Sequence, residues 1–317
     1  MRVLQRLLLF AAAPLHISEG GGKVSALDVA TKRGVVLNGE LFAADGADTV
    51  VIAITGIHGN FYSNPFYYNI GETLNRGGVD FIYAQTNDAF GKIETHNVRT
   101  GQPELIGSWN EDFRNTDEDI EAYLDYAERA GYRHIILAGH SLGANKVIYY
   151  LSRHHDPRVE HFIFLSPANL TYMMQGVTEK EKAFVRAQVE RGEGQKLLPF
   201  YFMGWVVCVA DTAYQWLFTT TLNNAHVEPD GDFSEAEQIT HTGALGIGTY
   251  DNFTCGDPAR FLKNLNDHMP TARENELIFI PRTGHTYQQK EQELADHLLR
   301  LVGNWRQSNR EKSMTPR

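Results

Sequence analysis

The 317-residue sequence contains only two cysteines, Cys208 and Cys255. Two cysteines cannot form the disulfide framework of a small secreted domain, and they do not supply the four spaced ligands of a structural zinc site. Internal repeats and low-complexity tracts are also missing from the sequence. We therefore expect a globular chain held together by a hydrophobic core, with no metal and no organic cofactor.

Positive charge is scarce, because the sequence has 29 Lys and Arg residues against 39 Asp and Glu residues. The formal net charge is therefore −10. Such a chain repels phosphate-rich polymers on average, so nucleic-acid binding is disfavoured and a small molecule is the expected partner. The length exceeds that of a usual single domain and favours one enlarged domain with an insertion. Nothing in the pattern indicates an oligomeric state.

Long apolar runs suited to crossing a membrane are missing as well. The stretch from Leu197 to Phe218 approaches the length of a span, but Pro199, Asp211 and Gln215 interrupt it. Interruptions of this kind disfavour a transmembrane helix. We expect buried helices that cover a pocket, and no stable membrane span.

Residues 1–22 form a leader or N-terminal extension that ends in three glycines. Arg2 and Arg6 precede an apolar run from Leu7 to Ala13, as in a short signal peptide. The alternative is a strand or helix lying on the domain. We predict a cytoplasmic protein, with export through this segment as the alternative.

From Lys23 onward, predicted strands and helices alternate. Strands are expected at Lys23–Thr31, Val35–Ala43, Thr49–Thr55, Val79–Tyr83, His134–Ala138, His161–Leu165, Ala244–Tyr250 and Glu276–Ile280. Helices are expected from Pro65 to Gly77, from an N-cap at Thr116 to Gly131, and at Leu142–Arg153, Thr178–Arg191, Pro258–Met269 and Tyr287–Trp305. This order predicts an α/β fold with a mostly parallel sheet flanked by helices.

The alternation stops between Ala168 and about Thr240. We interpret residues 168–240 as a cap inserted into a core made of residues 23–167 and 241–306, followed by a tail at 307–317. The cap is rich in aromatic residues, among them Trp205 and Trp216. If this segment covers a pocket, both are candidates for binding an apolar or aromatic substrate, although each also suits the core of the cap itself.

The motif Gly139-His140-Ser141-Leu142-Gly143 lies between a predicted strand and a predicted helix. This G-x-S-x-G pattern is typical of a nucleophile elbow, a sharp turn that presents the serine hydroxyl at a helix N-terminus. Small residues two positions before and after the serine allow the chain to reverse without clashes. Ser141 is therefore the candidate nucleophile.

At this motif the chain resembles the α/β-hydrolase superfamily, and the likeness extends from Lys23 to the last helix, apart from the cap. Thr55-Gly56-Ile57 stands where the superfamily carries His-Gly-x after its third strand, with Thr55 in place of the usual histidine. The following GNFYSNPF looks like a subgroup that includes siderophore-ester hydrolases. The resemblance implies an oxyanion hole formed by the N–H groups of Leu142 and Ile57; if His58-Gly59 is the functional pair instead, the second donor is Asn60.

Nucleophilic serine requires an imidazole base and a carboxylate that orients the imidazole. His285 follows the strand Glu276–Ile280 and precedes the last helix, which is the superfamily's place for the base. Asp251 ends the preceding strand in a Gly-x-x-Asp turn and is the candidate acid. Asp257 is its rival, although it also suits the N-cap of the helix at Pro258.

These residues predict a serine hydrolase that cleaves a carboxylic ester, lactone or thioester through an acyl-enzyme. An acyltransferase or an amide hydrolase would use the same triad, so these activities stay open as alternatives. A ligand-binding protein on a hydrolase fold is another, since one fold hosts many functions.

Overall fold

The computed structural model describes residues 23–59 and 63–314. The leader at 1–22, the alternative oxyanion donor Asn60 and the last three residues of the tail lie outside them.

Within the described residues, ten strands and eight helices follow one another. The strands are β1 (Lys23–Ala30), β2 (Val36–Ala43), β3 (Thr49–Ile54), β4 (Asp80–Ala84), β5 (Ile93–Asn97), β6 (Gln102–Ile106), β7 (His134–His140), β8 (Val159–Leu165), β9 (Thr242–Gly248) and β10 (Glu276–Ile280). The helices are α1 (Phe66–Arg76), α2 (Thr116–Ala130), α3 (Leu142–His154), α4 (Leu170–Met174), α5 (Glu179–Glu190), α6 (Ala210–Phe218), α7 (Pro258–Asp267) and α8 (Glu291–Met314).

Eight of these strands form one sheet in the order β1-β2-β4-β3-β7-β8-β9-β10. The pairs β1–β2 and β2–β4 are antiparallel, and all pairs from β4 to β10 are parallel. Every residue of β3 and β4 is buried. Continuous burial is expected for parallel strands covered on both faces, so the predicted mostly parallel sheet is confirmed.

Two hydrophobic clusters cover the two faces of this sheet. One cluster includes Ile120 of α2, Val147 of α3 and Phe261 of α7. The other includes Ile70 of α1 and Leu298 of α8. With a helical layer on each face, the carboxyl ends of the parallel strands are left as the edge where loops can assemble a site.

Between residues 168 and 222 the inserted segment packs a third cluster, which also contains Phe113 and Leu142. The rest of the segment packs on the sheet, because Ala225, Phe233 and Ile239 belong to the first cluster. The prediction of helices throughout 197–218 is wrong for its first part. Residues 197–209 form a hairpin, with hydrogen bonds from Leu198 N to Cys208 O (3.0 Å) and from Phe202 N to Val206 O (2.8 Å). Met203 and Gly204 turn the chain with φ values of 54° and 82°, which a helix cannot contain.

Two helix boundaries and one hairpin differ from the sequence-based expectation. Thr116 is the first residue of α2 and not its cap, because a short 3-10 turn at Phe113–Asn115 leads into the helix. The last helix begins at Glu291 and continues to Met314, so residues 307–314 extend it. The hairpin of β5 and β6 was not expected; its residues alternate weakly, and Thr95 anchors it by donating to Val36 O at 2.8 Å.

No helix among residues 23–59 and 63–314 is long and apolar enough to cross a membrane.

Candidate active site

Ser141 lies on the turn between the end of β7 and the start of α3, with φ 56° and ψ −131°. Two glycines make this turn possible. A Cβ on Gly139 would lie 2.3 Å from Gly143 O, and a Cβ on Gly143 would lie 2.2 Å from Ile54 O. Because neither contact is sterically allowed, the G-x-S-x-G spacing is required by the packing of β3, β7 and α3 against one another.

The structure brings three of the predicted site residues into one hydrogen-bonded chain. His285 Nε2 lies 2.8 Å from Ser141 Oγ, and His285 Nδ1 lies 2.8 Å from Asp251 Oδ2. The His285 side chain is 13% exposed and that of Asp251 is fully buried. This geometry allows the imidazole to accept the hydroxyl proton while the carboxylate accepts from the other ring nitrogen.

Asp251 is held as a carboxylate. Burial alone would raise its pKa, but the hydrogen bond and charge of His285 together with the N–H of Phe253 hold the pKa below its ordinary value. The rival Asp257 lies at the N-terminus of α7 and accepts from Arg260 N at 3.1 Å. Asp257 therefore caps a helix, and only Asp251 contacts the imidazole.

The loop after β3 lies against the nucleophile. A Cβ on Gly56 would lie 2.8 Å from Ser141 Cβ and 3.3 Å from Ser141 Oγ, so the loop backbone passes very near the hydroxyl. Ile57 packs on the third hydrophobic cluster, to which the buried Leu142 belongs. His58 contacts Ser108 Oγ at 2.6 Å through Nδ1, and a tight turn closes with Gly59 N donating to Gly56 O at 2.8 Å.

A cavity of about 460 Å³ lies between the segment 168–240 and the loop after β9. Its walls are uncharged and are formed by Tyr172, Met173, Gln175, Gly176, Met203, Trp205, Asn252 and Phe253. Phe253 packs edge-on against His285 with ring centroids 4.5 Å apart, which places this cavity beside the imidazole. A second cavity, of about 370 Å³, contacts α6 and the loop at 110–114. Neither cavity is lined by Ser141, His285 or Asp251 themselves, and only the first is connected to them, through Phe253.

The two candidate tryptophans have different environments. Trp205 is 44% exposed, lines the cavity beside His285 and packs edge-on against His58 at 5.3 Å. Trp216 is 4% exposed and packs against Phe113 at 5.3 Å, away from that cavity. Of the two, only Trp205 is in a position to touch a ligand there, and Trp216 belongs to the core of its segment.

Several cavity residues could not be found from the sequence. Phe253 follows Asp251 by two positions, so the position of the acid is the one signal that could have placed it beside His285. Met203 and Tyr172 come from separate parts of the segment 168–240 and meet only through its hairpin and α4. No spacing rule in the sequence indicates that convergence.

The model of a protein family described as "Protein of unknown function (DUF1749)" matches residues 37–237, more than half of the 317 residues. No curated protein matches the sequence.

Among solved structures, the chain is similar to the alpha/beta hydrolase GrgF from Penicillium sp. sh18, with 16% identity over 87% of this chain and 96% of that one, and a TM-score of 0.62. It is similar to Est1E from Butyrivibrio proteoclasticus, with 16% identity over 88% and 98% of the two chains and a TM-score of 0.58. A soluble variant of monoglyceride lipase from Saccharomyces cerevisiae, in complex with a substrate analog, matches with 11% identity over 91% and 97% and a TM-score of 0.61. These likenesses confirm the predicted α/β-hydrolase fold.

Proposed function

The chain belongs to the family described as "Protein of unknown function (DUF1749)", and from its fold and its site we propose that it is a serine hydrolase that cleaves carboxylic esters. One observation carries the proposal: Ser141, His285 and Asp251 are joined by two hydrogen bonds of 2.8 Å each. A serine so connected is activated as a nucleophile, which an isolated surface serine is not.

In the proposed reaction Ser141 Oγ attacks the carbonyl carbon while its proton passes to His285 Nε2. The tetrahedral oxyanion is held by the N–H groups of Leu142 and Ile57. His285 then returns the proton to the departing alcohol as the C–O bond breaks, which leaves an acyl-enzyme. Water, deprotonated by His285, then attacks the acyl carbon, and His285 passes this proton to Ser141 Oγ as the Ser141–acyl bond breaks and the acid is released. Asp251 stabilises the imidazolium formed in both halves.

We assign residues 168–240 to the role of a cap that selects the substrate. The uncharged cavity beside His285 supports this, since it would accept an apolar or aromatic portion of an ester and disfavour a charged one. Its volume of about 460 Å³ is within the usual range for small-molecule pockets. A panel of aryl, medium-chain acyl and siderophore esters would identify the preferred group.

Ser141→Ala is expected to abolish both ester hydrolysis and labelling by a fluorophosphonate, because it removes the only hydroxyl bonded to His285 in the described site. Circular dichroism and the melting temperature are expected to stay near those of the wild type. Ser152→Ala is the matched control, since Ser152 on α3 only donates to Tyr149 O, and this variant is expected to label normally. Labelling of the Ser141→Ala variant would reject the proposal.

A further inference from the structure

The hairpin at residues 197–209, named here the cap hairpin, exposes an apolar side to solvent. Exposed and buried residues alternate along it: Leu198, Phe202, Val206 and Cys208 are buried. Between them, Leu197 is 53% exposed, Tyr201 64%, Trp205 44% and Val207 47%. The outward positions of a hairpin packed on a protein are ordinarily polar. The cap hairpin is therefore apolar on both sides.

The exposed side is also free of charge. Residues 197–210 contain no Asp, Glu, Lys or Arg, although the whole chain has 68 such residues, 29 basic and 39 acidic. Four of the nine large hydrophobic side chains that are exposed within the described residues lie in this one hairpin. A concentration of this kind marks a surface that is covered by something else, whereas single exposed hydrophobic residues are ordinary on any protein surface.

The position of Trp205 indicates what covers it. Trp205 belongs to the exposed side and also lines the cavity next to His285. A protein seated on this side would cover Trp205 and so close this wall of the cavity, whereas a lipid surface would bring apolar substrate to the same ring. Trp and Tyr are suited to the boundary between lipid and water, because one end of each side chain is apolar and the other is polar.

We propose that the exposed side of the cap hairpin rests on an electrically neutral lipid surface, from which an apolar ester passes into the cavity beside His285. The net charge of −10 argues against an anionic surface. This inference rests on the proposed esterase function and adds the physical state of its substrate.

Vesicle flotation with phosphatidylcholine tests the proposal. The double variant Leu197→Asp/Val207→Asp changes two exposed residues that do not line the cavity. It is expected to bind vesicles at least about tenfold more weakly than the wild type, because charges are costly to place at an apolar boundary. The matched control is Val98→Asp/Leu105→Asp, at positions 54% and 43% exposed next to or in β5 and β6, and it is expected to bind as the wild type does.

Both variants are expected to hydrolyse a short, soluble ester at the wild-type rate. Absence of vesicle binding by the wild type, or equal loss in both double variants, would overturn the lipid proposal. A wild-type dimer in sedimentation velocity that only the Leu197→Asp/Val207→Asp variant dissociates would assign this side to a second copy of the chain. Failure of the esterase proposal is a separate result, since the wild type would then leave the soluble ester intact.

A second, independent observation concerns His140, the residue before the nucleophile. Its side chain is buried, and Nε2 lies 2.8 Å from the backbone oxygen of His285, to which it donates. Phe66 packs against the His140 ring edge-on at 4.8 Å, and the ring of His285 lies 5.0 Å away. Burial, reinforced by the charge of His285, lowers the pKa of His140 to about 3, so the ring is neutral at neutral pH.

We infer that His140 is a positioning residue that fastens the loop of the base to the elbow of the nucleophile. The 2.8 Å bond from His140 crosslinks the two turns that carry Ser141 and His285. Without this hydrogen bond the backbone of His285 would be less firmly held, and the distance between Ser141 Oγ and His285 Nε2 would vary. Displacements of about 1 Å in a reacting pair lower rates by about a hundredfold.

Comparison of His140→Leu with His140→Gln tests this role, since Gln retains an N–H donor and Leu does not. His140→Leu is expected to lower kcat about ten- to a hundredfold with KM unchanged, and His140→Gln is expected to recover most of that loss. Equal kcat values in the two variants, or a loss that appears in KM instead, would overturn the inference. Melting temperatures of both variants separate this effect from simple destabilisation.

Discussion

Ser141 keeps a backbone conformation that side-chain-bearing residues rarely adopt, with φ 56°. Strain of this kind persists only where the surroundings hold the residue in place. Here β7, α3 and the loop after β3 do so, since Gly139, Gly143 and Gly56 allow three backbone segments to approach without side chains between them. The hydroxyl is thus fixed relative to His285 by backbone packing.

Gly56→Ala tests how tightly the loop after β3 is packed on the nucleophile. The new methyl group would lie 2.8 Å from Ser141 Cβ, so the loop carrying Ile57 is expected to shift. We expect kcat to fall by about tenfold or more, because the proposed oxyanion donor moves with the loop. Steady-state kinetics with Gly91→Ala as control checks this, since a methyl group there meets nothing within 4 Å; unchanged kcat in Gly56→Ala would exclude the close packing.

The two aspartates of the β9–α7 connection differ in what they contact, and their variants separate catalysis from capping. Asp251→Asn is expected to lower kcat by about four orders of magnitude, because an amide cannot stabilise the imidazolium and favours the wrong tautomer. Asp257→Asn is expected to leave kcat near wild type, since asparagine also caps helices well. Kinetics and melting curves of both variants provide the measurement, and the opposite ranking of the two kcat values would assign the acid to Asp257.

The hydrogen-bonded residues could be predicted because their order and spacing depend on local structure. A serine flanked by glycines between a strand and a helix is typical of a nucleophile elbow, and the base and acid then follow from strand order. His140 and Met203 could not be predicted in this way. Their contacts join segments that are distant in sequence, and each residue type is common in ordinary cores.

At the scale of elements, prediction was most reliable where burial is continuous. The fully buried strand β3 occurs within one residue of its expected ends, since an apolar run bounded by turn residues leaves little choice. The cap hairpin was misassigned because apolar residues occupy both its buried and its exposed positions. The alternation of apolar and polar residues that indicates a strand is therefore missing. The β5–β6 hairpin is largely exposed, and it contains too few apolar residues for a strand pattern to be recognised in the sequence.

Trp205→Ala and Trp216→Ala are expected to have separable effects. Loss of Trp205 should change the ranking of ester substrates while fluorophosphonate labelling of Ser141 persists, because this ring lines the cavity. Loss of Trp216 should lower the unfolding free energy by about 3 to 5 kcal/mol, the usual cost of removing a buried aromatic ring. Substrate profiles and urea unfolding of both variants test this, and a substrate profile that Trp205→Ala leaves unaltered would argue against the cap proposal.

Across the whole molecule, a buried ionic cluster connects the sheet core to the segment that carries the cap. Lys146 Nζ lies 3.0 Å from Asp88 Oδ2 and 2.6 Å from Glu111 Oε1. The backbone oxygen of Glu111 accepts from Thr212 Oγ1 of α6 at 3.0 Å. Nothing in the sequence pattern distinguishes these residues, because charged contacts across 35 and 58 positions and a hydrogen bond across 101 positions leave no local periodicity. The sheet was predictable from its apolar runs, whereas this cluster required the three-dimensional arrangement.

The protonation of Glu111 gives this cluster a measurable signature in stability. Burial raises the pKa of Glu111 to about 8, against the opposing charge of Lys146 and with the added repulsion of Asp88. Between pH 4.5, the ordinary pKa of this side chain, and about pH 8, the folded state therefore retains a proton that the unfolded chain has lost. The stabilisation from this retained proton is fully present below pH 4.5 and is lost as the pH rises through about 8.

Glu111→Gln should remove this pH dependence, since a neutral amide replaces a carboxyl group that is neutral at low pH. We expect the unfolding free energy of the wild type to fall relative to that of the variant as the pH rises from about 5 to about 8, because only the wild type has a carboxyl group that loses a proton in this range. Lys146→Met is the contrasting control, expected to lose about 3 to 5 kcal/mol because it leaves a buried carboxylate without its cation. Urea unfolding of all three proteins across this pH range is the measurement. If the difference in unfolding free energy between the wild type and Glu111→Gln does not change with pH, Glu111 is ionised in the folded state.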